Sequence, residues 1–339
     1  MKLRLILISV LVLSGTPVMA QKAQKALEVV KSHLDEISID TRATFHQEVR
    51  AGKYDTHFQG DYLNLHIYGH LTDNITLRIR QRLNKKIDEK NPFNATDFLW
   101  LKWQINPHWS ITAGKQAILL GGYEIDSAPI DVYYYGAFTS NMYQYYAFGV
   151  SGTWTPAPGQ NISLQFCPSP ISPGTQDAYS YNLYWNGHIG KRWHTTWSYN
   201  LVGDELGRWM NYEVLGNKID IGPLVVDVDL INRHSIHQKH WFFSDWSVIG
   251  KAIYSLGKWN FCTKVGYERN DAENVDADGI SYDFTLPAGH DYYYGGVGVE
   301  YFPLGNENLR LHLVYFRNNH DDLYNVDLGV TWRFTLFKH

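Results

Sequence analysis

The chain has 339 residues, with 30 Lys and Arg against 34 Asp and Glu, so it lacks the basic surplus of a nucleic-acid binder. Mean hydropathy is below zero, which excludes a bundle of membrane helices, each needing about 20 mostly apolar residues. Aromatic residues reach 15% while charged residues are only 19%, against about 25% charged in an average soluble domain. That combination fits a β-barrel in an outer membrane better than a soluble enzyme.

Residues 1–20 read as a signal peptide. Lys2 and Arg4 precede an apolar stretch from Leu5 to Leu13, and Val18-Met19-Ala20 places small residues where signal peptidase needs them. Cleavage after Ala20 leaves 28 basic and 34 acidic residues. The apolar run is too short to span a bilayer as a helix. Two cysteines, Cys167 and Cys262, are too few for a disulfide framework. Both fall on lumen-facing positions of strands six apart, so both thiols are expected to be free.

Residues 21–36 form a short periplasmic linker in which Leu27, Val30 and Leu34, followed by Ile37, keep a helical 3-4-3 spacing. Fewer than two heptads are too short to stand alone. From residue 37 to 339 the period is two. Leu63, Leu65, Ile67, Gly69 and Leu71 share one face, while Tyr62, Asn64, His66, Tyr68 and His70 share the other. Ile75, Leu77 and Ile79 alternate with Thr76, Arg78, Arg80 and Arg82. Further on, Trp193, Thr195, Trp197, Tyr199 and Leu201 form one face, and Leu309, Leu311, Leu313 and Tyr315 another. Strands ten to twelve are less regular, since Ile249, Lys251 and Ile253 break the pattern.

Sixteen such segments can be placed, starting near residues 37, 60, 75, 96, 109, 143, 161, 178, 192, 208, 223, 246, 258, 290, 308 and 323. Their connections alternate in length. Short ones include 72–74, 106–108 and 257–258; long ones include 50–59, 84–95, 118–142, 232–245 and 269–289. The expected fold is therefore all-β, a 16-stranded antiparallel transmembrane barrel with short periplasmic turns and long external loops. A closed barrel pairs every backbone group in lipid and leaves no edge. A soluble sandwich would show the same alternation, with its apolar faces turned inward. Trp103, Trp109, Trp154, Trp185 and Trp193 near strand ends favour the membrane, because such residues form interfacial girdles.

Within this pattern the segment from Phe98 to Trp154 carries Gly114-Lys115-Gln116, then Gly121-Gly122-Tyr123-Glu124, then Gly149-Val150-Ser151-Gly152. It resembles the phosphate-selective porin O and P family of Bacteroidetes-type bacteria. The resemblance implies a homotrimeric diffusion porin in the outer membrane of a Gram-negative cell, whose third long loop folds into the lumen. Its implied partners are outer-membrane lipid, lipopolysaccharide and small hydrophilic solutes, or anions such as phosphate. The chain departs from the family pattern in two places. Lys338 and His339 follow Phe337, and residues 118–142 contain no Lys or Arg.

The residues expected to line the constriction are Arg78, Arg80 and Arg82 on one strand and Glu124, Asp126 and Asp131 in the third loop. Three like charges about 7 Å apart are tolerated only in water or opposite anions. An arginine row facing an acidic loop would set a transverse field across the narrowing. Other charges placed on the lumen face are Lys102, Lys264, Arg310 and Arg333 against Glu213, Asp227, Asp229, Glu268 and Glu300. Mixed signs predict weak selectivity.

His234, His237 and His240 recur at three-residue steps, but a long external loop fixes no metal geometry. No metal or cofactor is expected. Two other classes compete: an outer-membrane hydrolase using a Ser/His pair such as His234 and Ser235, and an exported β-rich glycan-binding protein. Adjacent residues on an extended chain point oppositely, which spoils a nucleophile–base contact. No enzyme is expected.

Overall fold

A computed structural model describes residues 33–320 and 323–339 of the chain. The expected signal peptide and most of the expected linker, residues 1–32, lie outside the described residues. Sixteen strands close into one antiparallel barrel with β1 paired to β16. They are β1 (Leu34–Arg50), β2 (Lys53–Thr72), β3 (Ile75–Arg82), β4 (Thr96–Asn106), β5 (Trp109–Ala117), β6 (Tyr146–Ala157), β7 (Gln160–Pro168) and β8 (Tyr179–Ile189). The second half contains β9 (Trp193–Gly203), β10 (Trp209–Ile221), β11 (Leu224–Ser235), β12 (Asp245–Leu256), β13 (Trp259–Asn270), β14 (His290–Tyr301), β15 (Leu309–Asn318) and β16 (Tyr324–Lys338).

The alternation sorts the strands as expected. Leu101, Trp103, Leu164, Leu183, Val265, Leu313 and Leu328 lie exposed on the outside, forming an apolar wall suited to a lipid surrounding. Trp109 and Trp154 pair across β5 and β6 with rings 6.1 Å apart. With Trp103, Trp193 and Trp259 they stand near the short-turn rim, where an aromatic girdle marks the bilayer surface. Both cysteines are free.

Three expectations change. Residues 50–59 are not a loop: β1 and β2 meet in a turn at Ala51 and Gly52, both with positive φ (47° and 76°). Such a turn matches the twist of two paired strands, so the hairpin continues past the barrel rim. Phe45 and Phe58 pack with tilted rings 4.9 Å apart along it. β1 also begins at Leu34, inside the stretch assigned to the linker. Glu213, finally, does not face the lumen. Met210, Tyr212 and Val214 on the same strand are fully buried inside, which turns Glu213 to the opposite face, where Asn232 donates to it at 2.8 Å.

Strands 10 to 12 alternate poorly for a physical reason. Their inward positions include Met210, Val214, Ile231 and Ile249, which belong to a hydrophobic core inside the barrel. A wet lumen needs polar walls, whereas a filled one does not.

An epitope tag inserted at Ala51-Gly52 should be reached by antibody on whole cells, and one at Gly257-Lys258 should not. Reversed accessibility would invert the topology.

Candidate functional site: a strap across the lumen

The connection from β5 to β6 leaves the wall at Ile118 and returns at Tyr145, whose carbonyl accepts from the Ile118 amide at 2.9 Å. Between these points it crosses the barrel. Gly121 and Gly122 have φ of 70° and 82°, a region open to Gly and costly for other residues. A Cβ on Gly121 would also stand 2.9 Å from the Thr196 carbonyl. The Gly122 amide donates to that carbonyl on β9 at 3.0 Å. The amides of Tyr123 and Glu124 then donate to the two carboxylate oxygens of Asp229 on β11, each at 2.8 Å.

A helical turn, α1 (Tyr123–Asp126), and a 3-10 turn at Pro129–Asp131 carry the chain to the far wall. There Arg42 on β1 donates to the carbonyls of Ile130 and Val132 at 3.2 and 2.9 Å. Asp131 pairs with Arg310 of β15 at 3.0 Å and Arg333 of β16 at 2.7 Å. In a ring of sixteen, β9 is eight places from β1 by either route, so the segment spans the full diameter. A second turn, α2 (Ala137–Ser140), docks on β13, where Glu268 accepts from the amides of Ala137 and Phe138.

Above the strap, towards the long loops, an apolar cluster occupies the lumen beside β7 to β13. Ile118, Leu120, Phe138 and Met142 join Val202, Met210, Tyr212, Val214 and Ile231 in one cluster, with Tyr282 and Phe284 of loop 271–289 against it. Each large apolar side chain so buried is worth about 1.5–3 kcal/mol. The same loop is fastened by charge. Arg233 binds Asp245 at 2.6 Å and Asp283 at 2.8 Å, with all three side chains fully shielded from water. Ser247 links Arg233 to Glu268 through bonds of 2.7 Å each.

The arginine row is where the alternation put it, but its counter-ion is different. Asp97 accepts from Arg80 at 3.0 Å and from Arg82 at 2.8 Å. A register shift between β3 and β4 at Arg80/Gln81 turns Asp97 inward, and a strict period of two hides it. Among the described residues no carboxylate pairs with Arg78; its guanidinium lies 4.0 Å from the Phe98 ring and 5.2 Å from that of Tyr68.

The loop acids do not assemble against this row. Glu124 is ion-paired with Lys264 on β13 and accepts from the Gly136 amide and the Thr139 hydroxyl. Asp131 is held at the β15–β16 wall. Asp126 alone stays near the row: it accepts from Tyr184 and borders a small cavity that Arg78 and Arg80 also line. Burial pushes the hydroxyls of Tyr133 and Tyr135 above the ordinary tyrosine range, so both stay neutral.

The strap leaves two larger spaces. One, of about 330 Å³, is lined by Asp40, Asn64, His66, Arg78, Arg80 and Arg333, with strap residues Ala128–Ile130 opposite. The other, of about 380 Å³, lies against β10 to β15 and includes Lys218, Asp227, Lys251, Cys262 and Glu300.

A closed 16-stranded barrel with an apolar exterior, a charged interior and an inward-folded third loop defines the class: an outer-membrane porin. The chain belongs to the phosphate-selective porin O and P family, whose sequence model matches residues 30–199, half of its length. The motifs that carry the match are structural. Gln116 donates to the carbonyl of Gly149 and accepts from Ser151, joining two of the motifs, while Gly121 and Gly122 launch the strap.

Solved structures agree on the fold. OmpT of Vibrio cholerae, in its trimer form, superposes with a TM-score of 0.61 at 12% identity, over 89% of this chain and all of that one. A Salmonella typhi OmpF complex with daunomycin gives 0.62 at 13%, over 88% and 98%. An anion-selective porin from Comamonas acidovorans gives 0.59 at 9%, also over 88% and 98%. Such low identities speak for the fold alone. Among curated proteins no sequence matches the chain.

His234 lies on β11 rather than in a loop, and Asn211 bonds its ring at 3.1 Å. The ring stacks on Trp241 at 5.2 Å. Ser235 instead receives the His237 amide. Histidine and serine are thus engaged separately.

Proposed function

We propose that this porin passes small hydrophilic solutes by passive diffusion with a weak preference for anions, and that the wall bearing Arg78, Arg80 and Arg82 sets that preference. The observation that carries this reading is Arg78, a lumen cation that no carboxylate among the described residues pairs with, lining an open space beside the strap. Around that space Arg78, Arg80, Arg82 and Arg333 face Glu36, Asp40 and Asp97, an excess of one positive charge before His66 is counted. A small excess biases ion traffic without excluding either sign. Glu124, Asp126 and Asp131 shape the constriction by fixing and bordering the strap.

No chemistry is assigned to the chain. The Ser/His pair that a hydrolase needs is not assembled from His234 and Ser235. As the Comamonas porin is called anion-selective and OmpT has a trimer form, a homotrimer of weakly anion-preferring pores, seated in lipid and lipopolysaccharide, is the natural reading here.

In planar bilayers under a salt gradient, the wild type should show a reversal potential on the anion side. Arg78→Glu should move it towards cations with little change in conductance. An unchanged reversal potential would remove the arginine wall from the selectivity filter.

A further inference from the structure

The two spaces beside the strap are not equivalent. Along β16, β1, β2 and β3 the inward charged side chains touch water from one rim to the other. Asp40 and His66 each keep 12% of their side-chain surface exposed, Arg82 29%, Arg42 10%, Asp327 13% and Glu48 23%. Along β10 to β13 the exposure stops. Lys218 and Asp227, near the short-turn rim, are 33% and 10% exposed, and Lys251 and Cys262 line the cavity there. One level higher, Tyr212, Arg233, Asp245 and Glu268 have no exposed surface, and Phe138 of the strap has none either. A side chain that no water molecule touches cannot border a water-filled passage.

We propose that solutes cross this porin along the β16–β3 wall only, and that the chamber against β10 to β15 is a blind pocket open to the periplasm. The inference rests on the channel reading above and adds which half of the lumen conducts. It makes Asp40, Asn64, His66, Arg78 and Arg333 the residues that meet a passing solute. Lys218, Lys251 and Cys262 face a dead end.

The blind pocket has its own chemistry. Most of its charges are already matched: Lys264 with Glu124, Arg310 with Asp131 and Glu300, and Glu307 with Arg333 of the other space. Asp229 is occupied by two strap amides. Lys218 and Lys251 remain around Asp227, whose Oδ1 is buried without a hydrogen-bond donor.

Single cysteines separate the two halves. In a Cys262→Ser background, with Cys167 buried, Ser38→Cys marks the conducting wall and Lys251→Cys the blind pocket. A cationic methanethiosulfonate reagent modifies each, mass spectrometry confirms completion, and single-channel conductance is recorded before and after. Modification at Ser38→Cys should lower conductance by at least about half, and at Lys251→Cys by less than about a tenth. Comparable block from both positions would overturn the proposal, because it requires a second route. Should Ser38→Cys fail to fold, Arg78→Gln and Lys251→Gln replace the pair: reversal potential should move for the first alone, and movement for both would refute a single route. Absence of conductance in every unmodified protein would instead remove the channel reading itself.

Discussion

Excising residues 119–144 and joining Ile118 to Tyr145 through two glycines should raise single-channel conductance at least about twofold and admit larger solutes, since a 16-stranded barrel is wide enough for an open aqueous channel. The join is feasible because Ile118 and Tyr145 are already bonded backbone to backbone, so the shortened connection becomes an ordinary hairpin. The excision removes Leu120, Phe138 and Met142 from the internal cluster and frees Asp229, Glu268, Arg310 and Arg333 to water. Strand pairing does not depend on the strap. Liposome swelling with sugars of graded size would measure the new limit. Swelling rates equal to those of the intact protein would mean that the narrowing lies elsewhere.

Arg233→Met should be the most destabilising single substitution in the external half. It leaves Asp245 and Asp283 fully buried without their cation and cuts the link through Ser247 to Glu268. Removing one partner of a buried ionic group costs about 3–5 kcal/mol, because the remaining charge stays desolvated. The barrel has an escape that a soluble core lacks: loop 271–289 can lift away and hydrate the carboxylates. The expected result is therefore a folded barrel whose loop is cut by protease on whole cells, where the wild-type loop resists. Equal resistance in both would show that the apolar contacts of Tyr282 and Phe284 hold the loop unaided.

The barrel was legible in the sequence because one rule, apolar outward at every second residue, is enforced by lipid along each strand. Most strand starts fall within three residues of their expected positions for that reason. The exceptions are places where something other than lipid sets the pattern. Ala51 and Gly52 make a turn that no apolar period marks, so residues 53–59 of β2 read as a loop. Ile249 and Met210 face inward because the lumen beside them is filled, and that filling comes from loops distant in sequence. Asp97 is hidden by a register shift, which moves one side chain to the other face. The row Arg78, Arg80 and Arg82 was visible; its true partner was not. Likewise the acids of the third loop stood out by composition, yet which wall each would bind depends on where the strap lands, a property of the closed ring.

The far anchor of the strap has a consequence for assembly. Ile130, Asp131 and Val132 grip Arg42 on the first strand together with Arg310 and Arg333 on the last two. The first and last strands become neighbours only when the ring shuts. A nascent barrel still open at that seam therefore offers the crossing segment just half of its landing site. The complete far anchor thus exists only in the closed ring. Once made, the three arginine contacts act as a clasp over the joint, fastening the two ends of the chain from the inside.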